Sequence, residues 1–297
     1  MSATISVIGG ANFDISAALT TPFVANDSNP GRISLGYGGV ARNIAHNLSL
    51  LGHDVKFITA FGGDIFGGLM QDQCKNIGLD ISLSLHSKAE RTGMYLCINN
   101  HAGEMIAAVA DTNVVNNITP AYLEKNLATL NKSDLLVADT NLSEETLLFL
   151  LDNVNVPVFI DGVSTAKSQR IINVLMQTTG KLHALKLNQK EALVVTETDN
   201  CTAAAEQLLK LKIESVYITL GNGGVYCRNH EQEATFPALP VEVVNTTGAG
   251  DAFLAGVVHA VTQKIDFPQT AQYGLMTARA TLMSEQAVNP NIANLLL

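Results

Sequence analysis

Residues 245–253 bring together, in one predicted turn, the groups that phosphoryl transfer needs. Three consecutive residues there carry little or no side chain, namely Gly248, Ala249 and Gly250. An apolar helical pattern follows, and the free N–H groups at a helix N-terminus attract anions. Asp251 lies in the first turn, where the helix dipole should keep it ionised and its carboxylate can take a proton from an attacking hydroxyl. A tight turn carrying only a helix-dipole partner is the alternative interpretation.

A second glycine turn, Gly38–Gly39, precedes another helical pattern, and Asn43 lies one turn inside that helix. The segment formally matches the dinucleotide fingerprint G-x-G-x-x-A, which would indicate a dehydrogenase. We reject this match because residues 32–35 are too short and polar for the buried first strand of such a unit. The turn instead supplies a second bare helix N-terminus, and the Asn43 amide can hydrogen-bond a hydroxyl. Plain packing glycines are the alternative.

Two weaker signals follow predicted strands. Thr219, Gly221 and Gly224 belong to a glycine-rich turn that could hold a nucleotide, although the apolar strand after it equally predicts a hairpin. Asn188 and Glu191 lie three residues apart on one helix face, where they can order a hydrated Mg²⁺ or simply cap the helix. The sequence contains no Walker loop, no histidine pair with zinc-ligand spacing and no G-x-S-x-G elbow.

Strand and helix patterns alternate along the chain, which predicts an α/β fold with a mostly parallel central sheet covered on both faces. The predicted strands are residues 5–8, 55–61, 135–138, 156–160, 182–187, 216–220 and 241–244. Helices in the C-terminal half are predicted at roughly 188–195, 202–211, 249–263 and 268–284. Two segments, about 12–37 and 88–112, break this rhythm. We expect them to form a small β-layer, or lid, inserted into one domain spanning residues 1–297; ordinary surface hairpins are the alternative.

The composition excludes several classes of function. The chain has 297 residues, 15% of them charged, and 27 acidic against 18 basic side chains give a net charge of −9. This acidic balance, with no basic run, argues against nucleic acid or an anionic membrane as the main partner. The four scattered cysteines indicate free thiols in a reducing compartment. With no secretion signal and no apolar stretch long enough to span a membrane, we expect a cytoplasmic protein.

Together, these motifs resemble the PfkB, or ribokinase-like, carbohydrate kinase family over nearly the whole chain. The matching elements are Gly38-Gly39-x-x-x-Asn43, Leu51-Gly52, Gly63-Asp64-x-x-Gly67, Asn188-x-x-Glu191, Thr219-Leu-Gly-x-x-Gly224 and Thr246-Thr-Gly-Ala-Gly-Asp251. The resemblance implies a three-layer sandwich with a β-lid, and a kinase that uses ATP and Mg²⁺ on a small sugar or nucleoside. Within the family, residues 27–31, 39–48 and 138–143 resemble the pseudouridine kinase branch, which implies transfer to the 5′-hydroxyl of pseudouridine.

The resemblance also implies roles for individual residues. Asp251 would be the general base on the acceptor hydroxyl, with Gly248, Ala249 and Gly250 as the anion hole. The residues implied in substrate binding are Asp14, Gly38, Gly39 and Asn43, with Asn12, Thr92 and Met94 of the lid near the base. Those implied in ATP and Mg²⁺ binding are Asn188, Glu191, Thr219, Gly221, Gly224 and Lys167.

One departure from the family pattern concerns a monovalent cation. The C-terminal signature usually begins with Asp, whereas this chain has Asn245, close to Thr247. In many relatives this position borders a potassium site. A K⁺ site at Asn245 and Thr247 is therefore doubtful, because the carboxylate is missing.

Several alternatives stay open at this point. A ribokinase- or fructokinase-type sugar kinase, or another nucleoside kinase, would use the same motifs. A non-catalytic nucleoside-binding protein would have no need of the Asp251 carboxylate, and a dehydrogenase is the least favoured. Met94, Leu96 and Ile98 alternate on one apolar face of the lid, so we also expect that a homodimer could form through it.

Overall fold

The computed structural model describes residues 2–295, and strands and helices alternate along most of this length. The strands are β1 (Thr4–Ile8), β2 (Asn12–Leu19), β3 (Gly31–Gly38), β4 (Asp54–Ile58), β5 (Ala60–Gly62), β6 (Leu85–Ser87), β7 (Met94–Asn99), β8 (Met105–Asp111), β9 (Leu135–Asp139), β10 (Val158–Asp161), β11 (Leu182–Asn188), β12 (Ile213–Thr219), β13 (Val225–Asn229) and β14 (Glu233–Phe236). The helices are α1 (Val40–Leu50), α2 (Ile65–Asn76), α3 (Pro120–Leu130), α4 (Glu144–Asn153), α5 (Thr165–Leu175), α6 (Gln189–Thr196), α7 (Cys201–Leu209), α8 (Ala249–Thr262), α9 (Thr270–Leu282) and α10 (Ile292–Leu295). Among these residues, no helix has the length and apolar character needed to span a bilayer.

The central sheet contains eight strands in the order β14-β13-β12-β11-β10-β9-β1-β4. Neighbours from β12 to β4 pair in parallel, while β13 and β14 add antiparallel strands at one edge. Strands β9 and β10 are buried along their whole length, which explains their continuous apolar runs. Apolar residues of α3 to α7 pack on one face, and those of α1, α2, α8 and α9 on the other. The fold is the predicted three-layer α/β sandwich.

A second, smaller sheet has the strand order β3-β2-β7-β8. Its strands come from the two segments, 12–37 and 88–112, that the sequence predicts to be extended. Strand register places Asp14 beside Gly36 on β3 and beside Tyr95 on β7. Because side chains alternate along a strand, Asp14 and Tyr95 share one face of this sheet, while Met94 and Leu96 share the other.

Two strand predictions are wrong in detail. Residues 241–244 form no strand, and Val243 and Val244 are 54% and 57% exposed in an irregular segment after β14. Their apolar character has another cause, since Val241 and Val243 line a cavity. The strand predicted at 55–61 is divided at Thr59, because β4 joins the central sheet whereas β5 pairs with β6.

Two histidines join the N-terminal end of β4 to the last turn of α8. His53 Nε2 lies 2.9 Å from His259 Nδ1, and His53 Nδ1 accepts a hydrogen bond from the Ala3 N–H at 3.2 Å. This arrangement requires His53 to be neutral, with its proton on Nε2. Burial, followed by the neighbouring His259, lowers the pKa of His53 to about 4, and burial also lowers the pKa of His259.

We predict that this histidine pair makes the fold sensitive to acid. An unfolded histidine binds its proton near pH 6.5. The pair therefore stabilises the fold fully above that pH, and its contribution is lost as the pH falls towards the folded pKa of about 4. Urea unfolding at several pH values should show a smaller loss in His53→Gln than in the unchanged protein. The exposed His101→Gln should behave like the unchanged protein, and parallel curves for all three would contradict the prediction.

Candidate active site

Charged side chains meet where the parallel strands of the central sheet end. Strand register aligns Asp139, Asp161 and Lys186 on the adjacent strands β9, β10 and β11. Aligned residues point to the same face, and here that face is covered by α1 and α8. Lys186 Nζ lies 3.0 Å from Asp161 Oδ2, and both side chains are buried.

The turn predicted to bind an anion lies directly above this row. Helix α8 begins after Gly248, whose φ of 81° and close approach to the Ala287 carbonyl require glycine. Asp251 is in the first turn, and its Oδ2 accepts a hydrogen bond of 2.8 Å from Asn43 Nδ2. Asn43 and Asp251 are 208 residues apart in sequence, so this bond joins the two glycine-turn motifs into one site.

The electrostatic environment of Asp251 differs from the one expected. Burial raises the pKa of Asp251 to about 7, and repulsion from Asp161 acts in the same direction. Attraction to Lys186 and the hydrogen bond from Asn43 oppose this shift without cancelling it. Burial therefore opposes the ionised form of Asp251 that the helix dipole is expected to favour. A carboxylate with a pKa near neutrality is suited to be a general base.

Lys186 is a candidate residue that the sequence analysis misses. A Cβ atom on Gly250 would lie 2.7 Å from Lys186 Nζ, so the ammonium group lies against the anion-binding turn. The available signal was a lysine inside the otherwise apolar run 182–187. Only the strand register shows that its side chain points towards α8 rather than away from it.

Asp139 is also missed, although it organises the same end of the sheet. Its carboxylate accepts hydrogen bonds from the backbone N–H groups of Gly10, Ala41 and Asn141 and from the Asn141 side chain, at 2.8 to 3.1 Å. Asp139 thereby ties the end of β1 to the first turn of α1, the helix that carries Asn43. It positions the candidate base through this helix, and its negative charge also raises the pKa of Asp251.

Two cavities meet at the turn before α8. One, of about 990 Å³, lies between the small sheet and the C-terminal loop, and Asp14, Ser16, Tyr95 and Asn99 are among its lining residues. The other, of about 580 Å³, is largely apolar; its lining residues include Thr219, Gly221, Gly224, Val241, Phe253 and Leu275. Thr246 lines both, so the turn forms the boundary between them.

Asp14 is one of the residues that the resemblance implies in substrate binding. It lies against the backbone of Gly38 and lines the larger cavity. Burial raises the pKa of Asp14 to about 6, and Arg42 opposes the shift. Within residues 2–295, its buried Oδ1 has no hydrogen-bond partner. A ligand hydroxyl would supply the donor that this oxygen lacks.

Several other predicted substrate residues do not line the larger cavity. The buried Thr92 hydroxyl donates to Asp64 Oδ1 at 2.6 Å and helps to fix the start of α2. Met94 lies on the opposite face of the small sheet from Asp14. Asn12 lies beside Gly93, and Gly39 is packed against the backbone of Gly10 and Ala11. The small-sheet side chains that do face the cavity include Ser16, Tyr95, Cys97 and Asn99.

The residues expected to bind nucleotide and metal lie at different places, with Asn188 and Glu191 at the start of α6 and Lys167 on α5. Asn188 and Glu191 form a reciprocal helix cap, with the Asn188 N–H donating to Glu191 Oε2 at 2.9 Å. Glu191 is buried and interacts electrostatically with Lys186. Lys167 donates to Asn141 Oδ1, beside the Asp139 carboxylate. Across residues 2–295, no three acidic, histidine or cysteine side chains converge as a direct metal cage, so any Mg²⁺ here depends on water or phosphate for most of its ligands.

Comparison with known proteins agrees with this geometry. The model of the pfkB family carbohydrate kinases matches residues 2–294. The chain is 33% identical over 296 residues to the pseudouridine kinase of Escherichia coli (strain K12), covering 97% of this chain and 93% of that protein. Among solved structures, a carbohydrate kinase from Agrobacterium tumefaciens superposes with a TM-score of 0.85 at 27% identity, covering 100% of this chain and 96% of the other. Ribokinase of Arabidopsis thaliana complexed with ribose and ATP gives a TM-score of 0.83 at 18% identity, with coverages of 100% and 99%.

The chain belongs to the PfkB family of carbohydrate kinases. It is a phosphotransferase with an alcohol group as acceptor, and its acceptor is a small sugar or nucleoside.

Proposed function

We propose that this protein transfers the γ-phosphoryl group of ATP to the 5′-hydroxyl of pseudouridine. The observation that carries the reaction is the hydrogen bond between Asn43 and Asp251, one turn of α8 beyond the turn whose Thr246 lines both cavities. The choice of nucleoside rests on two supports. One is the likeness to the Escherichia coli pseudouridine kinase, and the other is the set of polar side chains on the cavity face of the small sheet.

The acceptor binds in the larger cavity. Asp14 Oδ1, which is buried and has no donor among the described residues, accepts a hydrogen bond from a ribose hydroxyl. Ser16, Tyr95 and Asn99 line the same cavity and offer both donors and acceptors. A uracil ring carries N–H and C=O groups that can pair with them, whereas ribose or fructose would leave these side chains without partners. Recognition of this kind discriminates strongly against analogues that lack the polar groups.

The phosphoryl transfer uses the turn and its acid. The Asp251 carboxylate takes the proton of the 5′-hydroxyl as that oxygen forms its bond to the γ-phosphorus. The bond between the γ-phosphorus and its bridging oxygen breaks, and ADP leaves with the electron pair. The N–H groups of Gly248, Ala249 and Gly250 stabilise the charge on the migrating group. Because such transition states are loose, positioning and charge neutralisation dominate over proton removal.

The nucleotide binds in the smaller cavity, whose apolar walls suit an adenine ring. Thr219, Gly221 and Gly224 line this cavity at the end of β12. The buried acids near the turn fit an accompanying Mg²⁺, since they provide only hard oxygen ligands and more negative charge than Lys186 offsets. Asn188 and Glu191 would hold the ion through water. When bound, Mg²⁺ supplies neutralisation of the phosphate charge.

A panel of four acceptors tests the choice of substrate. We expect kcat/KM for pseudouridine to exceed that for uridine, ribose and fructose by more than about tenfold, because pseudouridine has a second ring N–H that uridine lacks and the two sugars carry no base. ADP formation with each acceptor, at saturating MgATP, is the measurement. A higher kcat/KM for ribose or fructose would replace the nucleoside with a sugar, and binding without ADP formation would make the protein a non-catalytic binder.

The role of Asp251 predicts a specific loss in Asp251→Asn. The amide keeps the size of the side chain but cannot take a proton, so kcat should fall by at least about a hundredfold. Pseudouridine binding, measured by calorimetry, should survive. Asp72→Asn, an exposed acid on α2, is the matched control and should keep normal turnover. Near-normal kcat in Asp251→Asn would refute the base assignment.

Asn245 is the residue whose missing carboxylate makes a K⁺ site doubtful. Its Nδ2 donates to the Glu285 carbonyl at 2.9 Å, and its Oδ1 accepts from the Thr247 N–H at 2.9 Å. We propose that this amide makes a monovalent cation unnecessary, because its N–H group satisfies the carbonyl oxygen that a cation would otherwise contact. The side chain also ties the anion-binding turn to the C-terminal loop.

Replacing this amide should therefore create a dependence on potassium. In Asn245→Asp, a carboxylate faces the Glu285 carbonyl with no donor between them, so activity should fall in sodium buffer and recover in potassium buffer. The unchanged protein should be equally active in both, and Asn245→Ala should be impaired in both. A strong K⁺ requirement in the unchanged protein would contradict the proposal.

A homodimer through the small sheet stays a prediction. The face opposite Asp14 carries Ile33, Leu35 and Val109, which are 62% to 73% exposed, together with Leu96. A second copy would cover this apolar surface. Light scattering at micromolar concentration should give twice 31.6 kDa, and Leu35→Glu combined with Val109→Glu should give the monomer mass. A monomer mass for the unchanged protein would end this prediction.

A further inference from the structure

The buried ion pair of Lys186 and Asp161 calls for an explanation that the fold does not supply. The Lys186 side chain is 8% exposed and that of Asp161 1% exposed, with 3.0 Å between Nζ and Oδ2. Burying such a pair carries a large desolvation cost, and apolar replacements of similar size are often neutral or stabilising. A strand as apolar as β11 could readily accommodate a methionine at this position.

The charges around Lys186 keep it protonated. Although burial opposes the charged form, Asp161, Asp251 and Glu191 together raise the pKa of Lys186 above its ordinary value. The charged groups facing the Lys186–Asp251 pair are Asp161 on β10, Glu191 on α6, Asp139 on β9 and Arg42 on α1. Lys186 therefore lies in a predominantly acidic surrounding.

The position of the ammonium group connects it to the anion-binding turn. A Cβ atom on Gly250 would lie only 2.7 Å from Lys186 Nζ. Gly250 has an ordinary φ, and within the part of the chain that the structure describes, Lys186 is the only side chain that a Cβ there would approach within 4 Å. Glycine at this position thus makes room for the ammonium group.

We infer that Lys186 is a further catalytic residue, whose ammonium group neutralises the migrating phosphoryl group together with the amides of the turn. This inference rests on the proposed kinase reaction and extends it. No bond forms to Lys186 and no proton leaves it. The γ-phosphoryl group passes from the bridging oxygen of ATP to the acceptor oxygen while the ammonium group neutralises part of its negative charge. Asp161 holds the ammonium in place and is a positioning residue.

The first test is Lys186→Met, which keeps the length of the side chain and removes its charge. We expect kcat to fall about 100- to 1,000-fold, the usual cost of losing one preorganised group at a developing anion. The acid limb of the pH profile should also move to higher pH, because the pKa of Asp251 loses an opposing cation. Lys181→Met, an exposed residue just before the same strand, is the matched control and should match the unchanged protein.

A second readout does not depend on turnover. Calorimetry should show that Lys186→Met weakens the binding of MgATP about tenfold more than that of MgADP, because only ATP carries the phosphoryl group that the ammonium contacts. Thermal unfolding checks that the variant is folded. If the variant does not fold, Lys186→Arg, which keeps the charge, serves instead, with a smaller loss of kcat and unchanged MgATP binding expected.

A double-mutant cycle with Gly250→Ala tests whether the glycine leaves space for Lys186 or for the phosphate itself. If Gly250 makes room for Lys186, the alanine variant should lose activity in the unchanged background and much less in the Lys186→Met background. Equal losses in both backgrounds would instead indicate that phosphate itself needs the space, and would overturn this part of the inference.

The outcomes distinguish this inference from the proposed function. Failure of the unchanged protein to phosphorylate any acceptor would refute the proposed function, while the nucleotide-binding comparison would still report on Lys186. An active unchanged protein, with Lys186→Met retaining kcat and binding MgATP and MgADP in their normal ratio, would overturn the role of Lys186 alone.

Discussion

The hydrogen bond between Asn43 and Asp251 is the interaction on which the rest of the site depends. It fixes a carboxylate in the first turn of α8 by means of a side chain from α1, and these two helices pack on the same face of the central sheet. Asp139 holds the start of α1 in turn, through the backbone N–H groups of Gly10 and Ala41. The acid is therefore positioned by the ends of β1 and β9 as well as by its own helix.

The same arrangement accounts for the unusual electrostatics. The ends of adjacent parallel strands lie close together, and here they bring Asp139 and Asp161 near Asp251. Burial, followed by repulsion from Asp161, raises the pKa of Asp251 towards neutrality, with Lys186 limiting the rise. A nucleotide-bound cation would relieve the repulsion among these buried acids. Buried acids with perturbed pKa values are common at functional sites.

Much of the fold was accessible from the sequence, because buried parallel strands are long apolar runs and glycine turns mark where helices begin. The pairing of Asp251 with the bare turn was accessible for the same reason, since both lie within a few consecutive residues. The face on which Met94 lies was not accessible, because a one-residue change of register moves a side chain to the other face of a sheet. Lys186 and Asp139 were missed because their significance depends on neighbours in other strands.

The pH dependence of kcat/KM for the acceptor tests the central claim most directly. If Asp251 is the base and its surroundings raise its pKa to about 7, activity should rise with pH along an acid limb centred near that value. An ordinary exposed aspartate would instead titrate near pH 4. A profile that stays flat down to pH 5 would show that no group with this environment takes part in the reaction.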